Sequence, residues 1–380
     1  MPTAKKYLTI FTLLFLCISS VSARPKERPA RVSKPLLWDV SHYGLMKKDT
    51  TNSKTYHNAV EKANLYCTQS PIVVTDKKTT LAPDKHYYYS IGPYWWPDPQ
   101  NPDGPYINKD GSINPEYYDY DAQVLIDFVD RCELLSIAYF FTENDKYYDA
   151  FVRQLRAWFV DEETLMYPNF EYSQVIKGQY NNKGRGKIEA YEFVDLIESI
   201  RMVSLIRPIE RNTLVEVQKW FDTFADWLEN AYGPTMRRIQ NNVTLAYDVM
   251  LTDMYMFAGQ NKKAKAIART FAKRRIKTQI NENGEQPAEL VRASSVTYSI
   301  FNLNHILDYC YIVRQWYPRL YKQNQVRLDA AMLFLINTLN NPKDYKYSQK
   351  SGFDHCRSSL KNLLRRRSDL LGGDNSLIFE

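Results

Sequence analysis

In the stretch "EQPAELVRASSVTYS", residues 285–299, an arginine and a tyrosine stand six positions apart with little that is apolar between them. A guanidinium can hold a carboxylate and a phenol can exchange a proton, so Arg292 and Tyr298 could work on one acidic ligand. On one continuous helix six residues turn through about 240°, and the two side chains could share a site only if the chain changes direction between them. Pro287 argues against helix just before the pair. Ser294 or Ser295 could cap a helix running through "VTYSIFNLNHILDYCYIVRQWY". Tyr298 would then lie in a first helical turn, close to the loop that carries Arg292. Gln286 and Glu289 in the same stretch are further candidates for ligand contact.

Two other stretches offer side chains of matching chemistry. "DKHYYYSIGPYWWPDPQNPDGPYINKDGSINPE" (84–116) crowds Lys85, His86, Tyr94, Trp95 and Trp96 among Pro93, Pro97, Pro99 and Pro102. Such a stiffened loop suits aromatic floors and cationic donors for an acidic sugar, and equally suits a surface loop packed by its own rings. "MYPNFEYSQVIKGQYNNKGRG" (166–186) adds Asn169, Tyr172, Gln174 and Arg185, with glycines that let backbone approach a ligand. In "RRIQNNVTLAYDVM" (237–250) Asn241 and Asn242 precede an amphipathic run. One can cap the helix, leaving the other amide free to donate to a carboxylate.

Several chemistries find no support. The histidines, His42, His57, His86, His305 and His355, are scattered without metal-site spacing, and no metal or other cofactor is expected. There is no GxSxG elbow. Glu116, Asp119, Glu171 and Glu289 stand out only weakly as a hydrolytic acid pair. Taken alone, these residues describe a helical protein with an aromatic, cationic cleft, either a carbohydrate enzyme or a binding module.

The elements that must position them are mostly helices. "TYHNAVEKANLYC", "DAQVLIDFVDRCELLSIAYFFT", "DKYYDAFVRQLRAWFVD", "EAYEFVDLIESIRMVSLI", "LVEVQKWFDTFADWLENAY", "NVTLAYDVMLTDMYMFAG", "NKKAKAIARTFAKRRIKTQI", "NHILDYCYIVRQWYP" and "QVRLDAAMLFLINTLNNP" repeat apolar residues at three and four spacing. Alternating strands are scarce. Helical hairpins joined by short loops predict an all-α fold, an (α/α) toroid or incomplete barrel. Three long non-helical stretches, 80–120, 165–187 and 281–295, interrupt it, and the cleft is expected where they meet.

Residues 1–23 read as an export signal ending Val-Ser-Ala, so the mature chain is expected to be periplasmic or secreted. A loose segment, 24–35, and a single domain, 36–380, would follow. No later run reaches the apolar length of a membrane span. Removing the signal takes away Lys5 and Lys6 and lowers the formal charge from +7 to +5. A basic exported protein suits an acidic glycan, whereas no nucleic-acid-binding pattern is present. Cys67, Cys132, Cys310 and Cys356 fall in helical runs, and buried thiols are expected for at least Cys132 and Cys310. The chain is expected to act as a monomer.

From about residue 70 to about 330 the sequence resembles the alginate lyase superfamily of helical-toroid polysaccharide lyases. The resemblance is carried by "DKHYYYSIGPYWWPDP", "PDGPYINKDGSINPE", "LRAWFVDEETLMYPNFEYSQVIKG", "GRG", the Asn241–Asn242 pair and "NGEQPAELVRASSVTYSIFNL". It implies β-elimination on uronic-acid polymers, with Tyr298 as base and acid and with Arg292 and Asn242 on the substrate carboxylate. The family motif usually continues with histidine, where this chain has Val243, and "TLA" also replaces its glycine and tryptophan. One tyrosine doing both proton transfers fits a syn elimination, which in alginate belongs to mannuronate. Loss of the histidine would curtail guluronate cleavage unless His86 substitutes. Glucuronan cleavage and noncatalytic polyuronate binding are the alternatives.

Overall fold

The structure, a computed structural model, describes residues 29–51, 53–179, 184 and 186–379. The expected signal and Arg185 lie outside them. Fourteen α-helices are found among the described residues. They are α1 (Val40–Lys48), α2 (Lys54–Thr68), α3 (Asp121–Thr142), α4 (Asp145–Phe159), α5 (Glu192–Ser204), α6 (Arg211–Met236), α7 (Asn242–Phe257), α8 (Asn261–Phe271), α9 (Lys277–Gln279), α10 (Pro287–Leu290), α11 (Ser295–Ile312), α12 (Leu320–Gln323), α13 (Gln325–Asn340) and α14 (Asp354–Leu370). Every run expected to be helical contains one, while α1 and α14 carry too weak an apolar stripe to stand out in the sequence.

Burial sorts the helices into rings. Helix α7 is covered on every side from Thr244 to Phe257, and α5 is covered almost as fully, as expected of helices apolar around most of their circumference. Helices α4 and α8 bury one stripe and leave charged residues outside. Helix α3 packs on α2, α4 and α5; α7 packs on α5, α6, α8 and α11; α11 packs on α14. This is an (α/α) toroid of hairpins. Cys132, Cys310 and Cys356 are buried free thiols and Cys67 is a half-buried one. No helix among the described residues is long and apolar enough to cross a membrane.

Three local features depart from expectation. The run 261–280 is broken by a π-helical turn at Ala272–Ile276. There Arg274 (2.9 Å) and Arg275 (2.8 and 3.1 Å) both donate to the buried Asp248 carboxylate of α7. Arg275 also donates to the Ile239 carbonyl at 3.3 Å, just ahead of the asparagine pair. Pro287 does not exclude helix; it opens the short α10 at the first helical position, where its missing N–H costs nothing. Finally, part of the segment expected to be loose is tied down. Ala30 exchanges two hydrogen bonds with Gln218, and just beyond the segment the N–H groups of Leu36, Leu37 and Trp38 donate to the buried Glu198 carboxylate. Glu198 is in turn held by Arg201, which forks onto Asp253.

Helices α3 and α5 also bring together Asp130, Glu133, Glu192 and Asp195. Burial, with Asp195 and Asp130 adding repulsion, pushes Glu133 up to about 7. Glu192 rises to about 7 and Asp195 to about 6, again chiefly through burial. Carboxyls raised above their unfolded values bind more protons in the folded state, so their contribution to stability falls as pH rises from about 4 to 7. Glu133→Gln is therefore expected to stabilise the protein by on the order of 1–2 kcal/mol at pH 8 and hardly at all at pH 4.5. Thermal melts at the two pH values check this; an equal gain at both would point to packing instead.

Candidate active site

The three long stretches do meet. Strand β1 (Tyr89–Ile91) pairs in parallel with β4 (Tyr172–Val175), and β2 (Trp95–Trp96) pairs antiparallel with β3 (Ile107–Asn108). Gly92 and Tyr106 donate backbone N–H groups to the carbonyls of Val175 and Lys177, each at 3.0 Å, which joins the first stretch to the second. The first joins the third through side chains. The hydroxyls of Tyr94 and Tyr298 share a hydrogen bond at 2.8 Å, in which either can donate. Arg292 forks onto Asp110 at 2.7 and 3.1 Å, and the Ala293 N–H donates to the same carboxylate at 3.1 Å.

Arg292 and Tyr298 share the site as the turn between them requires. Helix α11 begins at Ser295, and the Tyr298 N–H donates to the Ser294 carbonyl, so the tyrosine sits in the first turn. The guanidinium lies 3.6 Å from the centroid of the Tyr298 ring. The serine hydroxyls do not cap the helix; a strap from the far C-terminal side uses them. Ser295 Oγ bonds to the Tyr345 hydroxyl at 2.6 Å, the Ser295 N–H donates to the Ser348 carbonyl at 3.0 Å, and the Val296 N–H donates to Gln349 Oε1 at 2.9 Å.

Asn242 opens α7 and is almost wholly buried. Its backbone N–H and side-chain amide both donate to Glu289, at 2.7 and 2.6 Å. Glu289 therefore orients the asparagine and is not free to act in a hydrolytic pair. Glu116 is likewise occupied, accepting from Lys177, Tyr106 and Tyr120. Asn241 stands at the N-cap position without a capping bond, and its buried Oδ1 has no partner.

The remaining candidates are placed as follows. Gln286 is buried, donating to the Ser299 carbonyl at 3.1 Å and accepting from Asn302 at 2.8 Å. Asn169 shapes its own turn, accepting from the Glu171 N–H at 3.2 Å. Tyr172 packs edge-on against Tyr87. Gln174 has a left-handed backbone, φ 54°, and its side-chain carbonyl occupies the space where a β-carbon on Gly186 would stand. Trp95 is half-buried opposite Asn108, and Trp96 donates from Nε1 to the Ser112 carbonyl beneath Lys109. Lys85 is exposed.

His86 stacks on Tyr167 and donates from Nδ1 to the Leu165 carbonyl at 2.6 Å, which leaves Nε2 as the acceptor. Its ring thus fastens the first stretch to the second. His86→Ala is expected to lower the melting temperature while changing turnover less than about threefold on any polyuronate. A loss of a hundredfold on one polymer would instead restore the histidine as a base.

Burial pushes the Tyr298 phenol well above its ordinary value. The bond to Tyr94 adds to the rise, and the stacked Arg292 opposes it. Arg292 holds the Asp110 carboxyl below its usual range. Asp110 escaped the sequence reading because nothing local marks a partner 182 positions away. The only hint is the Asp-Gly turn, in which Gly111 takes φ 73° and a β-carbon would stand 3.1 Å from the Ala293 side chain. The buried Lys187 was missed as well; its ammonium donates to Phe170 and Ser173, lies 4.7 Å from the Tyr232 ring, and is pushed down to about 7 by burial.

A helical toroid whose cleft loops bring an arginine, a tyrosine and an oriented asparagine together has the architecture of a polysaccharide lyase. Residues 73–345 match the alginate lyase family. The crystal structure of an alginate lyase from Bacteroides ovatus superposes with a TM-score of 0.81 at 32% identity, over 90% of this chain and 93% of that one. Alginate lyase A1-III from Sphingomonas species A1 superposes at 0.53 with 15% identity, and a histidine-to-alanine variant of A1-III complexed with tetrasaccharide at 0.54 with 16%, each over 92% of both chains. A comparison with curated proteins returns no match. The chain belongs to the alginate lyase family and is a lyase.

Proposed function

We propose that this lyase cleaves 1,4-linked uronic-acid polymers, with alginate as substrate and mannuronate preferred, and that Tyr298 is both base and acid. The observation that carries this reading is the contact of Tyr298 with Tyr94 on its hydroxyl and Arg292 on its ring. A guanidinium has five N–H groups, and two of those on Arg292 are taken by Asp110, so three remain for a uronate carboxylate. Asn242 keeps one amide N–H beyond the one given to Glu289. Both donors stabilise the charge that grows onto the carboxylate as the C5 proton leaves.

The step balances with solvent as the first proton acceptor. The Tyr298 phenol gives its own proton to solvent; the phenolate takes the C5 proton, the C5–H electron pair becomes the C4–C5 double bond, the C4–O4 bond breaks with its pair on O4, and Tyr298 returns the proton to O4, which regenerates the phenolate. Burial keeps the resting phenol protonated, which favours the return and opposes the abstraction. The Tyr94 hydroxyl, at 2.8 Å, can donate to the phenolate once it forms. Tyr94→Phe should therefore cost about tenfold in turnover on polymannuronate. A loss of less than about twofold would leave Tyr94 a packing role only.

Val243, where the family has histidine, supports the narrower syn reaction on mannuronate. Export under residues 1–23 would place the enzyme where such polymers occur. The test is the ultraviolet absorbance of unsaturated uronate released from polymannuronate, polyguluronate and glucuronan. A rise on polymannuronate first is expected. A rise on glucuronan alone would transfer the proposal to that polymer, and equal rates on polyguluronate would overturn the syn assignment.

A further inference from the structure

The chain that carries Arg292 and opens the Tyr298 helix is held from two sides. On one side Asp110 takes the Arg292 fork and the Ala293 N–H. On the other runs the strap, residues 345–352, nearly all of it beyond the family match, which ends at residue 345. Ser348 Oγ and the Lys350 N–H both donate to the Ala293 carbonyl, at 2.9 and 3.0 Å, and the Ser351 N–H donates to Ser294 Oγ at 3.3 Å. Ser294 also forms an antiparallel β-bridge with Gln349. The Ser294 carbonyl in turn receives the Tyr298 N–H at 3.0 Å, so the strap grips the residue to which the tyrosine backbone is bonded.

Gln349 is the centre of that grip. The first N–H groups of a helix have no partner within it, and at α11 they cannot turn to water, because Ser295 and Val296 are fully buried. The Ser348 carbonyl accepts from Ser295, and Gln349 Oε1 accepts from Val296 at 2.9 Å. Gln349 Nε2 lies 2.9 Å from Thr297 Oγ1 and 2.8 Å from the Gly352 carbonyl. One side chain thus ties both residues directly ahead of Tyr298 to the strap's own turn. It does not touch the phenol, whose hydroxyl is bonded to Tyr94, so it acts on Tyr298 only through the first turn of the helix.

We propose that Gln349 is a positioning residue for the elimination: by locking the first turn of α11 to the strap it fixes where the Tyr298 oxygen stands relative to the C5 proton and O4. The proposal rests on Tyr298 being the base and acid. A proton transfer is sensitive to small displacements of the transferring atom, whereas Arg292 keeps its separate anchor on Asp110, so the loss should fall on kcat and spare KM. Gln349→Met keeps the length of the side chain and removes both kinds of bond; it is expected to lower kcat on polymannuronate about tenfold with KM changed less than about twofold. Gln349→Glu restores an acceptor for the Val296 N–H and should recover kcat to within about threefold of wild type. Tyr345→Phe removes only the bond to Ser295 Oγ and is the milder arm, with kcat down about threefold. The deciding measurement is a cycle with Tyr298→Phe. If Gln349 works through the phenol, Gln349→Met should add little further loss in the Tyr298→Phe background. The same fold loss in both backgrounds would mean general stabilisation and would overturn the proposal, as would a rise in KM at constant kcat or a Gln349→Met enzyme as fast as wild type. Tyr298→Phe retaining turnover within about tenfold would be a different failure, sinking the proton-transfer reading itself and this proposal with it.

Discussion

Tyr298→Phe is expected to lower turnover by at least about a hundredfold while leaving the fold and substrate affinity nearly intact. The ring is half-buried under the Arg292 guanidinium, and phenylalanine preserves that stack. What disappears is the one oxygen proposed to accept the C5 proton and return it to O4. The only protein group bonded to that oxygen among the described residues is the Tyr94 hydroxyl, which then loses its partner. An unpaired half-buried hydroxyl costs about 1–2 kcal/mol at most, so the melting temperature should fall only slightly. Ultraviolet assay of polymannuronate, with KM and kcat separated, decides the matter. A drop confined to KM would remove Tyr298 from the proton transfer, and residual turnover within tenfold would move the base elsewhere.

Arg292→Lys is expected to cost about a hundredfold in kcat/KM although the charge is retained. The arginine forks onto Asp110 and stacks on the Tyr298 ring, and its remaining N–H groups are the ones proposed to meet the uronate carboxylate. An ammonium has no planar fork and stacks less well, and it would be drawn to Asp110 as a point charge. Asp110→Asn separates these roles. It keeps the arginine and removes the anion that competes with a uronate carboxylate for it, so KM should fall or hold while kcat declines modestly as the guanidinium loses its anchor. If Arg292→Lys behaves like wild type, carboxylate neutralisation must come from elsewhere, with Asn242 as the remaining donor.

Much of this molecule is legible in one dimension. The three and four spacing of apolar residues marks every major inner and outer helix, because a helix that must bury a stripe declares its period locally. The weakly apolar α14 is the exception. Long proline- and glycine-rich stretches mark the loops, and motif order marks the family. The contrast within one motif is instructive. Arg292 and Tyr298 are close in sequence and the turn between them is visible, so their meeting could be expected. Gln286 lies in the same motif and is spent on Asn302 and the Ser299 carbonyl, which no local pattern reveals.

By itself the sequence determined the all-helical toroid, the family, the stretches that build the cleft and the arginine–tyrosine pair, since all of these depend on short-range periodicity or on contiguous motifs. Only the tertiary structure decided which groups are free to act. It spends Glu289 on Asn242, fastens His86 to Leu165, sets Asp110 on Arg292 across 182 positions, and covers Tyr298 so that its proton is held tightly. Those outcomes follow from burial and from partners brought together by chain closure, and neither is encoded in the spacing of nearby residues.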